Sequence, residues 1–278
     1  MAMIEINGVN IFYEEFGNKG SEYCVSFFNG VAMSTANWVL IYPIFERLGW
    51  RVILHDFKGQ LKSDKPPNPY TFKEHADEAK VLFEHLNVSK VHIIGTSYGG
   101  EVAMKFAIEH PEIVASISVI NSVSETDMLL TAFIRNWKTL CEIGDGEAFF
   151  LGIMPSVYGE PYLAQNHESL VKKAKAMAEI PSGFFEGQKI LYDTFLDDVY
   201  MTDQLHQIKC PALIICGELD ILKPPKFSKI IAENIPNAEC LTIPDCGHVT
   251  IFEKPEELKS AILGFIMKHC ISLNEKPL

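Results

Sequence analysis

The stretch Val91-His92-Ile93-Ile94-Gly95-Thr96-Ser97-Tyr98-Gly99-Gly100 decides the fold. A short apolar run stops at a glycine, a serine and two further glycines. A helical spacing then begins, with Val102, Ala103, Phe106 and Ala107 on one face. The string is G-x-S-x-G between a strand and a helix, the layout of a nucleophile elbow. The residue types follow from the turn. A serine on so sharp a turn is held in a strained backbone conformation. Gly95 and Gly99 lack the Cβ atoms that would hold the two arms of the turn apart. The hydroxyl is raised above the sheet, where the first amides of the following helix also point. Three fixed positions recur by chance in roughly one chain in ten of this length, given the usual frequency of glycine. The flanking strand and helix therefore carry the reading, and the rest of the chain must supply the partners.

Working outward, strand patterns alternate with helical ones. Ile4 to Asn7 and Asn10 to Phe16 read as an antiparallel hairpin around Gly8-Val9. Tyr23 to Phe28 and Arg51 to His55 read as buried strands, with a helix from Trp38 to Leu48 between them. Phe72 to Leu86 reads as a helix capped by Thr71. Val114 to Ile120, Ala212 to Cys216 and Glu239 to Ile243 complete the strands. Pro225 to Ala232 and Glu256 to Lys268 read as helices. This rhythm predicts an α/β fold: a mostly parallel sheet with helices on both faces. One stretch breaks it. From about Val123 to Asp203 the patterns are helical and aromatics are frequent. The expected organisation is a core of 1–122 and 204–278, with 123–203 inserted as a helical cap over the sheet's C-terminal edge. Most cap aromatics should pack the cap. Trp137, Phe149, Tyr158 and Phe184, with Asn29 and Val249 from the core, are candidates for an apolar substrate pocket.

Composition narrows the function. The chain has 278 residues, 47% of them hydrophobic and 22% charged, and a net charge of −12. The acidic balance argues against nucleic acid and anionic membranes as partners. No apolar run approaches the length of a membrane span. Met1 to Glu5 lacks the basic start and apolar core of a signal peptide. Seven cysteines, an odd number with no C-x-x-C spacing, fit free thiols in a reducing cytoplasm. No His, Asp, Glu or Cys group has metal-ligand spacing, and no cofactor is expected. Oligomeric state is not readable from the sequence.

A serine hydroxyl becomes a nucleophile only when a base takes its proton. The base needs an acceptor on its other ring nitrogen to fix its tautomer. Leu213 to Cys216 runs into Gly217-Glu218-Leu219-Asp220, so Asp220 stands just past a strand end, where an orienting acid belongs. Glu218 and Asp245 are alternatives with poorer spacing. His248 lies in the loop after the Leu241 to Ile243 strand, and the order Ser, Asp, His is a known triad order. Cys246, two residues before His248, is a weaker nucleophile candidate. His55, also at a strand end, reads as structural or as pocket wall.

On these motifs the chain resembles the α/β-hydrolase family over nearly its whole length. Gly95 to Gly100 is similar to the family's elbow, Gly217 to Asp220 to its acid loop, and Gly247-His248 with Phe252 to Glu256 to its histidine loop and final helix. Asp56 to Asp64 is similar to the D-x-R-G-x-G-x-S loop, with Lys58 in place of Arg and Leu61 in place of Gly. Short esterases and enol-lactonases with a helical cap look closest. The resemblance implies an eight-stranded sheet, a Ser97-His248-Asp220 triad, and an oxyanion hole made by the backbone amides of Val31 and Tyr98. Asn29 stands where the family often has His. The expected activity is hydrolysis of a small or medium ester or lactone through an acyl-serine. The alternatives are other serine-dependent chemistry, such as C–C bond or aminoacyl cleavage, and a ligand-sensing receptor that retains the triad.

Overall fold

Asn7 and Gly8 both adopt positive φ, 52° and 80°. Such a two-residue turn matches the twist of paired strands. It joins β1 (Ala2–Ile6) to β2 (Val9–Gly17), with Ile6 opposite Val9. The computed structural model describes residues 2–181 and 183–271. Met1, Ser182 and 272–278, which belong to the expected core and cap segments, lie outside the described residues.

Beyond the hairpin come β3 (Cys24–Phe28), α1 (Pro43–Arg47), β4 (Arg51–His55), α2 (Phe72–His85), β5 (Val91–Thr96), α3 (Tyr98–Glu109) and β6 (Val114–Ile120). Four helices follow before the next strand: α4 (Met128–Ile143), α5 (Gly146–Val157), α6 (Glu160–Ala176) and α7 (Phe184–Asp198). The chain then forms β7 (Ala212–Gly217), α8 (Pro225–Asn234), β8 (Ala238–Ile243), α9 (Thr250–Glu253) and α10 (Pro255–Ile271). The sheet has eight strands in the order β1-β2-β4-β3-β5-β6-β7-β8. β1–β2 and β2–β4 are antiparallel and every other pair is parallel.

The inner parallel strands β3 to β7 are buried on both sides, and alternation divides them between two cores. Ile93 and Ile214 pack with Phe72, Ala76, Phe83 and Phe106 of α2 and α3. Their neighbours Ile94 and Ile215 pack with Trp38, Phe45, Leu258 and Ile262 on the opposite face. The single helix expected from Trp38 to Leu48 is two pieces, a 3₁₀ turn at Thr35–Leu40 and then α1. Pro43 has no N–H to continue a helix and is tolerated only at the start of the second one.

Between β6 and β7 no strand forms among the described residues. Asp127 and Asp145 accept the amides of Leu130 and Ala148 at 2.8 Å and so start α4 and α5. Gly144, at φ 72°, ends α4 between them. Thr71 caps α2 with a reciprocal Glu74 contact.

Candidate active site

The elbow holds the strain its sequence implies. Ser97 has φ 52° and ψ −120°, a region that side chains rarely adopt. Two anchors impose it. The Ser97 amide donates to Ile120 O at 2.8 Å, and the Ser122 hydroxyl donates to Ser97 O at 2.8 Å. A methyl group on Gly95 would overlap the Gly99 carbonyl, and one on Gly99 would overlap the Phe28 carbonyl. Only glycine lets β3, β5 and α3 approach so closely here.

Three loops at the C-terminal ends of β5, β7 and β8 bring the candidate side chains together. The Ser97 hydroxyl lies 3.0 Å from His248 Nε2. His248 Nδ1 lies 2.8 Å from Asp220 Oδ2. Asn121 Nδ2 donates to the same Asp220 oxygen at 2.8 Å, and the Leu222 and Lys223 amides donate to Oδ1 at 2.9 and 2.8 Å. Burial alone would raise the Asp220 pKa. The His248 ring and the donors around the carboxylate outweigh it and hold the pKa below the ordinary aspartate value. Asp220 therefore stays ionised beside His248. Asn121 adopts φ 49° just after β6, and its Oδ1 accepts the Thr250 hydroxyl at 2.6 Å. One Asn thus ties the acid to the segment that follows the histidine. Lys223 forms a buried pair with Glu101 of α3 at 3.0 Å, which braces the acid loop against the elbow helix. The histidine loop is anchored to the helical insertion: the amides of His248 and Val249 both donate to Val157 O, at 2.9 and 3.2 Å.

Tyr98 is the first residue of α3, so its amide has no partner within the helix. Val31 lies in the turn after β3, where Met33 N donates to Gly30 O at 3.2 Å. Behind that turn is a buried polar network. Gln60 Nε2 donates to Gly30 O at 2.7 Å, and Gln60 Oε1 accepts from Asn29 Nδ2 and the Phe57 amide at 3.0 and 2.9 Å. Trp38 Nε1 donates to Asn29 Oδ1 at 2.8 Å. Asp56 accepts from Asn29, the Thr35 amide and the Lys62 amide at 3.0, 2.8 and 3.1 Å. Asn29, expected in the pocket wall, sits behind it: its side chain is fully buried and all its polar atoms are engaged in holding the turn.

A cavity of about 320 Å³ opens onto Ser97 and His248. Trp137, Phe149, Tyr158, Phe184 and Val249 line it, together with Val31 and Leu61. Phe149 and Phe184 meet edge-on at 5.7 Å, and Trp137 Nε1 reaches Ser156 Oγ at 3.2 Å. The four inserted helices and the sheet edge thus enclose one apolar space. A larger cleft of about 610 Å³ lies at the opposite, N-terminal edge of the sheet, beside Cys24, Val114 and Pro211, and holds none of these groups.

Residues 24–255 match the family model described as alpha/beta hydrolase fold. The chain belongs to the alpha/beta hydrolase fold family. It is 25% identical over 283 residues to a proline iminopeptidase of Lactobacillus helveticus (strain DPC 4571), covering 94% of this chain and 96% of that protein. MGS-M2, an alpha/beta hydrolase enzyme from a Medee basin deep-sea metagenome library, is 26% identical with a TM-score of 0.90 over 100% of this chain and 98% of its own. Est816, described as an N-acyl homoserine lactone degrading enzyme, is also 26% identical, with a TM-score of 0.79 over 95% and 100% of the two chains. The protein is thus a hydrolase of this family.

Within this hydrolase, the two departures in the Asp56 loop have separate consequences. Lys58 pairs with Glu78 at 2.8 Å, away from the cavity, whereas Leu61 adds an apolar side chain to the cavity wall. His55 packs between Phe28 and Phe57 at ring distances of 5.1 and 4.8 Å and does not reach the cavity. Burial lowers its pKa to about 3, so the ring is neutral. Cys246 is buried with Sγ 3.5 Å from Thr250 Oγ1, and burial raises its thiol to about 12, which leaves it without a thiolate. All seven cysteines are free. No helix among the described residues is long and apolar enough to cross a membrane. Sequence reading missed Asn121 and Gln60. Both are uncharged polar residues in loops that follow strands, among other polar residues, a signal too common to single them out.

Proposed function

We propose that the protein is a serine hydrolase that cleaves a small or medium carboxylic ester or lactone through an acyl-serine intermediate. The observation that carries this is the continuous line from the Ser97 hydroxyl through the His248 ring to Asp220, at 3.0 and 2.8 Å, on the floor of an apolar cavity. Ser97 Oγ attacks the carbonyl carbon while His248 Nε2 takes its proton. The resulting oxyanion accepts hydrogen bonds from the Val31 and Tyr98 amides, each worth about 3 kcal/mol of transition-state stabilisation. Asp220 holds the Nδ1–H tautomer and stabilises the imidazolium. His248 then gives its proton to the leaving alkoxide oxygen. Water, deprotonated by the same ring, releases the acid from Ser97. These steps use only side chains, backbone amides and water.

The cavity supports an ester or lactone over an aminoacyl substrate. A free α-ammonium group needs a carboxylate to receive it, and none lines the cavity among the described residues. A volume of about 320 Å³ is at the small end of ligand sites, which suits a compact apolar acyl group. The test is hydrolysis of p-nitrophenyl butyrate, γ-caprolactone and proline p-nitroanilide by the wild type and by Ser97→Ala. The reading requires turnover of an ester or lactone that falls by on the order of a millionfold in the variant. Preference for the aminoacyl anilide, or turnover that survives the substitution, overturns it.

A further inference from the structure

One charged side chain lines the cavity among the described residues. It is Lys173, on α6. Its Nζ lies 4.9 Å from the centre of the Phe252 ring and 5.4 Å from that of Phe150, two residues that also line the cavity. The residue as a whole is exposed, which sets it at the rim rather than on the floor. An ammonium group has three N–H donors and no acceptor. Ring faces attract its charge but do not replace hydrogen-bond acceptors. Among the described residues no carboxylate and no carbonyl pairs with it, and the two rings are the partners of its charge. Most other lysines of the chain behave differently. Lys58, Lys138 and Lys223 pair with carboxylates at 2.6 to 3.0 Å. Burial holds the Lys173 pKa below the ordinary lysine value, with no neighbouring negative charge to restore it.

An ammonium group set over two ring faces at the rim of an apolar site, with no protein acceptor, is open to a bound anion as its partner. We propose that Lys173 is a specificity residue that receives a carboxylate on the substrate, remote from the scissile carbonyl, so that the preferred substrates are monoanionic esters or lactones. This rests on the ester or lactone reading above. The triad and the oxyanion amides act on the carbonyl at the cavity floor. Lys173 acts at the rim, where the substrate's carboxylate keeps part of its hydration. The two aromatic rings flank the ammonium and leave its N–H donors for that carboxylate. Substrates with a positive charge at the same end are repelled, which agrees with a cavity wall that carries no carboxylate among the described residues.

The test compares two substrates of similar shape that differ in charge, monomethyl adipate and methyl hexanoate, in wild type, Lys173→Gln and Lys173→Arg. The readout is the ratio of kcat/KM for the anion to that for the neutral ester. The ratio is expected to favour the anion in wild type, to fall at least about tenfold in Lys173→Gln through a higher KM, and to be largely restored in Lys173→Arg. A residue that only packs α6 on Phe150 and Phe252 would change both substrates together and leave the ratio unmoved. Binding is measured separately by calorimetry in Ser97→Ala, where no turnover intervenes. Weaker binding of monomethyl adipate in Ser97→Ala/Lys173→Gln than in Ser97→Ala supports the proposal. A wild type whose kcat/KM shows no preference for the anion, a Gln variant that keeps the preference, or equal binding of monomethyl adipate in the two Ser97→Ala backgrounds overturns it. Should Ser97→Ala hydrolyse both esters at wild-type rates, the acyl-serine reading fails instead.

Discussion

Replacing Asp220 by Asn tests how the site fixes its base. The carboxylate accepts four hydrogen bonds: two backbone amides on Oδ1, and Asn121 Nδ2 and His248 Nδ1 on Oδ2. An amide keeps one acceptor and gains two donors. Its oxygen must face the Leu222 and Lys223 amides, so its NH₂ meets the NH₂ of Asn121 and the Nδ1–H of His248. Asn121 can rotate its amide, at the cost of opposing the Thr250 hydroxyl that now donates to it. His248 can escape only by shifting its proton to Nε2. That nitrogen then faces the Ser97 hydroxyl, 3.0 Å away, as a donor and cannot accept its proton. Loss of the base in the required tautomer is worth about 10⁴ in kcat. The loss of charge-assisted bonds in a buried site should also remove about 2–4 kcal/mol of stability, on the order of 3–7 °C in Tm for a domain of this size. The assay is p-nitrophenyl butyrate hydrolysis at pH 7.5, with a calorimetric melt on the same samples. A variant within tenfold of wild-type kcat would refute the assigned role of Asp220.

Three further outcomes are expected. Unfolded His55 takes up a proton below about pH 6.5, and folded His55 only near pH 3. The unfolded state therefore holds more protons between those values, and stability is lost as pH falls through that window. In His55→Leu the loss between pH 7 and pH 5, read by urea denaturation, should be smaller by about 2 kcal/mol; identical losses would contradict the buried neutral ring. Gln60→Leu removes the donor to Gly30 O and the acceptor for Phe57 N, so kcat should fall about 10–100-fold while KM stays within threefold. An unchanged kcat means the network does not position the Val31 turn. Gly99→Ala forces a methyl group into the Phe28 carbonyl, and the variant should fail to accumulate as folded protein by expression and circular dichroism; a native melt would show that the elbow is looser than its geometry implies.

Much of this architecture can be read in the chain because the relevant signals are local. The inner parallel strands are apolar runs that end at or beside Gly, Asn or Asp, and the elbow needs glycine where backbones touch. Ser97 follows β5 directly, and Asp220 and His248 lie in the loops just past β7 and β8, so the side chains that meet can be named from strand ends. The Trp38–Leu48 segment is less legible, because its apolar spacing is helical while Pro43 breaks the backbone. Asn29 differs from its expected place for a related reason. Its position after β3 is right for the cavity, but whether its side chain turns in or back depends on Asp56, Gln60 and Trp38, which only the fold brings near. Lys173 lies on α6 beside Lys172 and Lys175, and nothing in its sequence neighbourhood separates it from a solvated face.

The most direct measurement is covalent labelling with a fluorophosphonate, followed by mass spectrometry of the digested protein, in wild type and His248→Ala. A serine activated through the 3.0 Å contact with His248 should carry the adduct on the peptide containing Ser97, and the labelling rate should drop by at least about 10³ when the ring is removed. An adduct on another residue, or equal labelling rates in the two proteins, would contradict the assignment.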